Sequence, residues 1–163
     1  MAAIYSDLAG KVVLVTGGGS GIGETIVRRF AEQGCKVAFI DIARDESEKL
    51  VAELAAKGQA VQFEHTDLKD IAALRAAVAR VSASLGPIGI LINNAAHDER
   101  HATADVTPEY WDDRIAVNLK HQFFAAQAVL EDMKAAGGGS IVNFGSISWM
   151  LKQGGMPAYT ASK

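Results

Sequence analysis

Lys11-Val12-Val13-Leu14-Val15-Thr16 runs directly into Gly17-Gly18-Gly19-Ser20-Gly21-Ile22-Gly23. The first six residues are a short β-branched run, which reads as a buried strand. Gly21 to Gln33 reads as a helix, with Ile22, Ile26, Val27 and Phe30 on one side and Gly34 as its stop. The glycines between strand and helix permit a tight turn and let the backbone approach a pyrophosphate. The helix N-terminus behind them offers unpaired N–H groups and a partial positive charge. A glycine-rich loop without a ligand has the same composition, so the flanking strand and helix carry the reading.

The same alternation continues outward. Lys36 to Ile40 is a second buried run. Arg44 to Lys57 is a charged helix with Leu50, Val51 and Leu54 facing inward. Ala60 to Glu64 is a third strand. Asp67 is the expected N-cap of the next helix. Its apolar positions Ile71, Leu74, Val78, Val81 and Leu85 step by 3, 4, 3 and 4, which is one helical face. Gly86-Pro87 ends it. Ile88 to Ile92 is a fourth strand, and residues 93–106 are a polar loop. A long helix starts with Pro108 at its first position and runs to about Lys134 before Gly137-Gly138-Gly139. Ser140 to Phe144 is a fifth strand, and a further helix begins near Pro157. Strands apolar on both faces, alternating with helices, imply a parallel sheet covered on both sides. The expected fold is α/β, a Rossmann-like doubly wound sheet with five strands in one domain over residues 1–163.

Composition narrows the function classes. The chain has 163 residues, 49% hydrophobic and 21% charged, which excludes intrinsic disorder. A net charge of −3 without a basic run argues against a nucleic-acid partner. Apolar runs such as Val12 to Val15 fall far short of the roughly 18 residues of a membrane span. The stretch Met1 to Asp7 has neither a basic start nor an apolar core, so no secretory leader is expected. The single Cys35 excludes an internal disulfide and fits a reducing compartment. A cytoplasmic protein without a membrane partner is expected. No His/Cys spacing suggests a metal.

Asp41 ends the second strand, 18 residues beyond Gly23. An acidic group there can hydrogen-bond the adenine ribose hydroxyls and repel the extra phosphate of NADP. No Arg or Lys sits in the glycine turn. NAD is therefore the expected cofactor, while Arg44 keeps NADP open. An ordinary strand-end cap is the other reading of Asp41. Near the last residue, Tyr159 and Lys163 stand four apart, on one face of a helix. A neighbouring ammonium stabilises a phenolate, which can then take a proton from an alcohol. A bland surface pair has the same spacing.

Several motifs occur in one order: T-G-x-x-x-G-x-G from Thr16 to Gly23, Asn93-Asn94-Ala95, Asn118 within Val-Asn-Leu, Ser146, and Tyr159-x-x-x-Lys163. Together they resemble the short-chain dehydrogenase/reductase family, from about Asp7 to the last residue. The resemblance implies that Tyr159 is the general base. Lys163 would lower the tyrosine pKa and hold the nicotinamide ribose. Ser146 would hydrogen-bond the reacting oxygen, and Asn118 would hold a water of the proton relay. A polar residue satisfied within its helix is the other reading of Asn118. Gly17, Ser20, Gly21, Ile22 and Gly23 would line the diphosphate site. Asp41 and Ile42 would meet the adenosine half, with Asp67 and Leu68 flanking the adenine. Asn94, Ala95 and Ala96 would pass beside the nicotinamide. Ala96 departs from the family's usual Gly, and Met150 from a common small residue.

His97-Asp98-Glu99-Arg100-His101, then Ala104-Asp105-Val106-Thr107 and Tyr110-Trp111-Asp112, together with Asn143-Phe144-Gly145-Ser146-Ile147-Ser148-Trp149, resemble the sugar 1-dehydrogenases of that family, especially the D-xylose type. Such enzymes oxidise an aldose at its anomeric carbon to the lactone. Asp98, Arg100, His101 and Ser148 would supply polar partners, and Trp149 would cover the sugar ring. Ser148 is also a competitor of Ser146, because two residues apart in an extended segment share a side. A solvated charge run is the plain reading of residues 97–101. Other alcohol or ketone substrates, such as a polyol, a hydroxy-steroid or a 3-oxoacyl carrier, remain alternatives. Family members continue past the Tyr-x-x-x-Lys pair through two more strands with their helices. The chain is therefore expected to be the N-terminal part of a longer enzyme, a homodimer or homotetramer when complete. By itself it is expected to turn over negligibly. A weakly binding, inactive fragment or a non-enzymatic module are the remaining readings.

Overall fold

Five strands, β1 (Val12–Thr16), β2 (Lys36–Asp41), β3 (Val61–His65), β4 (Ile88–Asn93) and β5 (Ser140–Asn143), form one parallel sheet in the order β3-β2-β1-β4-β5. The computed structural model describes residues 3–163. Met1 and Ala2, part of the stretch read as lacking a leader, lie outside the described residues. The helices are α1 (Gly21–Glu32), α2 (Arg44–Ala56), α3 (Ile71–Leu85), α4 (Pro108–Ile115), α5 (His121–Ala135) and α6 (Pro157–Ser162). Short 3-10 turns cover Ser6–Leu8 and Thr103–Asp105.

Alternate residues of each strand serve the two faces of the sheet. Val13, Val15, Val37 and Phe39 pack with Val27, Leu50 and Leu54 of α1 and α2. Leu14, Ala38, Ile40 and Leu91 pack with Leu74, Val78, Val81, Ala125 and Val129 of α3 and α5. Every residue of β1 is buried, as a central strand covered twice must be. The result is the Rossmann-like doubly wound fold. The chain turns away from β1 in one direction to β2 and β3, then crosses back to β4. That switch lies between the carboxyl ends of β1 and β4, where Thr16 pairs with Asn93. Crevices at such switch points are where open α/β sheets bind ligands.

Two expectations need correction. The N-cap of α3 is Asp70, not Asp67: Asp70 Oδ1 accepts the Ala73 N–H at 3.0 Å. Asp67 instead accepts the Lys69 N–H at 2.9 Å in the preceding turn, because the helix starts at Ile71. The long helix after Pro108 is also not uniform. A π-helical turn, Ala116–Lys120, joins α4 to α5 and contains Asn118. Most other boundaries differ from expectation by about one residue, the usual fraying of element ends. Among the described residues, no helix is long and apolar enough to cross a membrane.

Candidate functional site

The glycine turn after β1 is shaped by close approach. Gly17 has φ +68°, and a Cβ there would lie 2.8 Å from Ala95 Cα. A Cβ on Gly23 would lie 1.7 Å from the Gly17 carbonyl oxygen. No side chain caps the N-terminus of α1, so its first N–H groups remain available. Asp41 braces the turn: one carboxylate oxygen accepts the Gly19 N–H at 2.8 Å and the other the Ala43 N–H at 2.9 Å. Each oxygen keeps a lone pair for a further donor.

Thr16, fully buried, stitches this turn to the one after β4. Its hydroxyl oxygen accepts the N–H groups of Asn94 at 3.1 Å and Ala95 at 3.2 Å. Asn94 returns two bonds through its amide, to the carbonyls of Thr16 at 3.2 Å and Gly17 at 2.9 Å. Behind Thr16 lies His121, without solvent exposure. Its Nε2 sits 3.4 Å from Thr16 Oγ1. The Thr16 oxygen already accepts two N–H groups, so its proton points to Nε2. The imidazole is therefore neutral with its proton on Nδ1. Burial pushes the His121 pKa down to about 4, with a smaller push from the Lys163 charge.

A groove of about 680 Å³ opens between these turns. It is lined by Gly17, Ser20, Gly21, Ile22, Gly23, Asp41, Ile42, Asp67, Leu68, Asn94, Ala95 and Ala96. All the dinucleotide residues expected outside the Tyr/Lys pair thus meet at one surface. Thr66, Lys69, His97, Asp113, Arg114 and Val117 line it as well, and sequence reading missed them. Lys69 reaches Asp113 at 2.8 Å, and this bond with the Arg114 guanidinium holds the Asp113 carboxyl below the usual range. Arg114 is buried and also meets Glu99 at 3.2 Å, the His97 ring and the Tyr110 face.

Asn118 is fully buried and clamps the loop after β4. Its Oδ1 accepts the His97 N–H at 2.8 Å, and its Nδ2 donates to the His97 carbonyl at 3.0 Å. Its side chain is thus satisfied outside its own helix. Its main-chain carbonyl accepts the Gln122 amide at 2.7 Å. Ser146, Tyr159 and Lys163 lie outside the groove lining. The Lys163 ammonium sits 5.9 Å from the Tyr159 ring centroid and donates to the Phe144 carbonyl at 2.8 Å. Burial pushes the Lys163 pKa down.

The expected sugar residues are dispersed. Asp98, Arg100 and Trp149 are exposed, and with His101 and Ser148 they stand outside the groove lining. His101 stacks on Tyr110 with ring centroids 4.1 Å apart. Its N–H donates to the Gly155 carbonyl at 2.7 Å, which joins the loop after β4 to the loop before α6. Ser146 and Ser148 do not share a side of an extended segment. The chain turns at Ile147, and the Ser148 N–H donates to Ser146 Oγ at 3.1 Å. The Ser148 hydroxyl is buried and has no hydrogen-bond partner. Among the described residues, no group of three or more His, Cys, Asp or Glu side chains is placed to hold a metal.

The model of the short chain dehydrogenase family matches residues 11–163. A D-xylose 1-dehydrogenase of Caulobacter vibrioides is 47% identical over 161 residues, covering 99% of this chain and 63% of that protein. A Rhizobium meliloti protein named as a probable galactose dehydrogenase is 49% identical over 160 residues, covering 98% and 62%. The chain thus spans somewhat less than two thirds of the length of these relatives. Among solved structures, a metagenomic short-chain oxidoreductase in complex with NADP superposes with a TM-score of 0.91 at 32% identity, covering 97% of this chain and 72% of that one. A Serratia marcescens short-chain dehydrogenase/reductase variant gives a TM-score of 0.88 at 34% identity, covering 96% and 64%.

Proposed function

The chain belongs to the short-chain dehydrogenase family, and from that premise we propose that its groove binds NAD and that the protein oxidises an aldose at the anomeric carbon to the lactone. One observation carries the reading. The uncapped N-terminus of α1, the Asp41 carboxylate and the Asn94–Ala96 turn face a single groove. An uncapped helix end attracts a diphosphate, and a carboxylate with spare lone pairs suits ribose hydroxyls. Ile42 and Leu68 offer apolar contact to the adenine. When bound, NAD supplies the hydride acceptor.

The chain's own groups handle the proton. Tyr159 takes it from the substrate hydroxyl as a phenolate, whose negative charge before the transfer is offset by the nearby Lys163 ammonium. One Lys163 donor is committed to Phe144, which leaves two for the nicotinamide ribose. Ser146 accepts the Ser148 N–H, so its own proton is free to donate to the reacting oxygen. The Asn118 main-chain carbonyl, which already accepts the Gln122 side-chain amide, would be the acceptor for a relay water.

Asp98 and Arg100, both exposed, would be the polar partners of a sugar and the exposed Trp149 indole a ring-sized apolar face, although all three stand outside the groove lining. The names of the relatives point the same way. Ser148 is buried and is set aside as a substrate contact. We further propose that residues 1–163 act as one dinucleotide-binding domain, that the protein is cytoplasmic, and that it works as a homodimer or homotetramer.

The test, made on the complete enzyme, is NAD reduction with xylose, arabinose and galactose against a panel of polyols, a hydroxy-steroid and a 3-oxoacyl thioester run in reverse. Aldoses are expected to give the signal. Tyr159→Phe is expected to lower kcat by about 100-fold or more, with NAD affinity nearly unchanged. A variant that keeps most of its kcat removes Tyr159 from the base role. A signal from another substrate class alone overturns the sugar reading.

A further inference from the structure

Asp41 stands at the end of β2, and in the parallel ladder its partner on β3 is His65. Three residues beyond Asp41, Arg44 opens α2. Arg44 Nη2 lies 3.0 Å from His65 Nδ1. His65 Nε2 lies 3.2 Å from the Ile42 carbonyl oxygen. A guanidinium only donates and a carbonyl only accepts. His65 Nδ1 must therefore accept from Arg44, and Nε2 must carry the proton given to Ile42. A single neutral tautomer satisfies both bonds. Arg44 also meets Glu48 at 3.3 Å; this i,i+4 pair and the contact with His65 are both exposed, so each holds the guanidinium only modestly.

Asp41 and Ile42 line the groove, whereas Arg44 and His65 do not. Arg44, the cation three residues beyond Asp41, is thus turned toward β3. A free arginine there would form charge-assisted bonds with an adenosine 2′-phosphate. We propose that His65 is a specificity-determining residue that latches Arg44 away from the groove and thereby limits the use of NADP. This rests on the dinucleotide reading above. Discrimination between the cofactors is then a difference of two affinities, set by Asp41 repulsion and by a basic residue held in reserve.

The experiment is calorimetric titration of NAD and of NADP into the protein and into four variants: His65→Val, His65→Asn, Arg44→Ala and the double His65→Val/Arg44→Ala. His65→Val removes the acceptor and is expected to tighten NADP binding about fivefold, with NAD within about twofold of its starting value. His65→Asn places an amide oxygen near the Nδ1 position and is expected to restore the original ratio. The double variant is expected to lose the gain. An unmoved ratio in His65→Val, an equal shift of both dinucleotides, or a gain that survives loss of Arg44 overturns the latch and leaves the NAD reading standing. Absence of any NAD binding by the unaltered protein overturns both.

Discussion

Gly23 shows how one missing carbon makes room for the glycine turn. A Cβ at 1.7 Å from the Gly17 carbonyl oxygen has no space, and the obstacle is backbone. Gly23→Ala is expected to cost about 2 kcal/mol of stability in urea denaturation and to displace the turn that faces the groove. An alanine variant as stable as the parent would show that the approach is not tight. This position was legible in the sequence, because only glycine tolerates such proximity and the surrounding strand and helix were clear. Asp41 was legible for the same reason: it stands where the strand stops. Arg114 and His97 were not, since periodicity tells which residues are near the core but not which way a long side chain bends. His121 makes a second prediction at this scale. The unfolded imidazole takes its proton near the ordinary value of 6.5, and the folded one resists until about 4. Its contribution to stability is therefore full above pH 6.5 and declines as the pH falls toward 4, by about 3 kcal/mol in total. Urea melts from pH 7 to pH 4 should show that loss, and His121→Gln should flatten it. An equal loss in the variant would assign the acid sensitivity to other groups.

At the scale of elements, the apolar periodicity of α3 was enough to find the helix but not its first residue. Asp67 and Asp70 are both good caps and stand three apart, so composition alone does not separate them. Asp70→Ala is expected to lower stability by about 1 kcal/mol and Asp67→Ala by much less, as measured by chemical denaturation. The reverse order would restore Asp67 as the cap. The helix after Pro108 teaches a related lesson. Thr107 accepts the Tyr110 N–H at 3.2 Å and starts it as the Thr-Pro pair suggests. The π turn at Ala116–Lys120 leaves no mark on the hydrophobic pattern, because the spacing of apolar residues shifts by only one position there. Yet this turn carries Asn118, whose amide clamps the His97 backbone on the groove's rim. A local irregularity thus sets the path of the loop that carries the proposed sugar contacts.

At the scale of the whole molecule, the parallel sheet brings together residues far apart in the chain. Gly17, Asp41 and Asn94 come from the ends of three different strands or the turns beyond them, and one groove collects them. Strand alternation made the sheet and its two-sided core readable. The gathering at the switch point followed from the order of strands. What the alternation left unread was the dispersal of the sugar residues, which depends on how two loops fold against each other. Leu119, Phe123 and Leu130 remain exposed on the helical face, consistent in character with the proposed assembly of subunits. The most direct measurement is calorimetric titration of the unaltered protein with NAD. One saturable site per chain is the predicted result. Titration without saturation at millimolar NAD would contradict the assignment of the groove, whatever activity the protein proves to have.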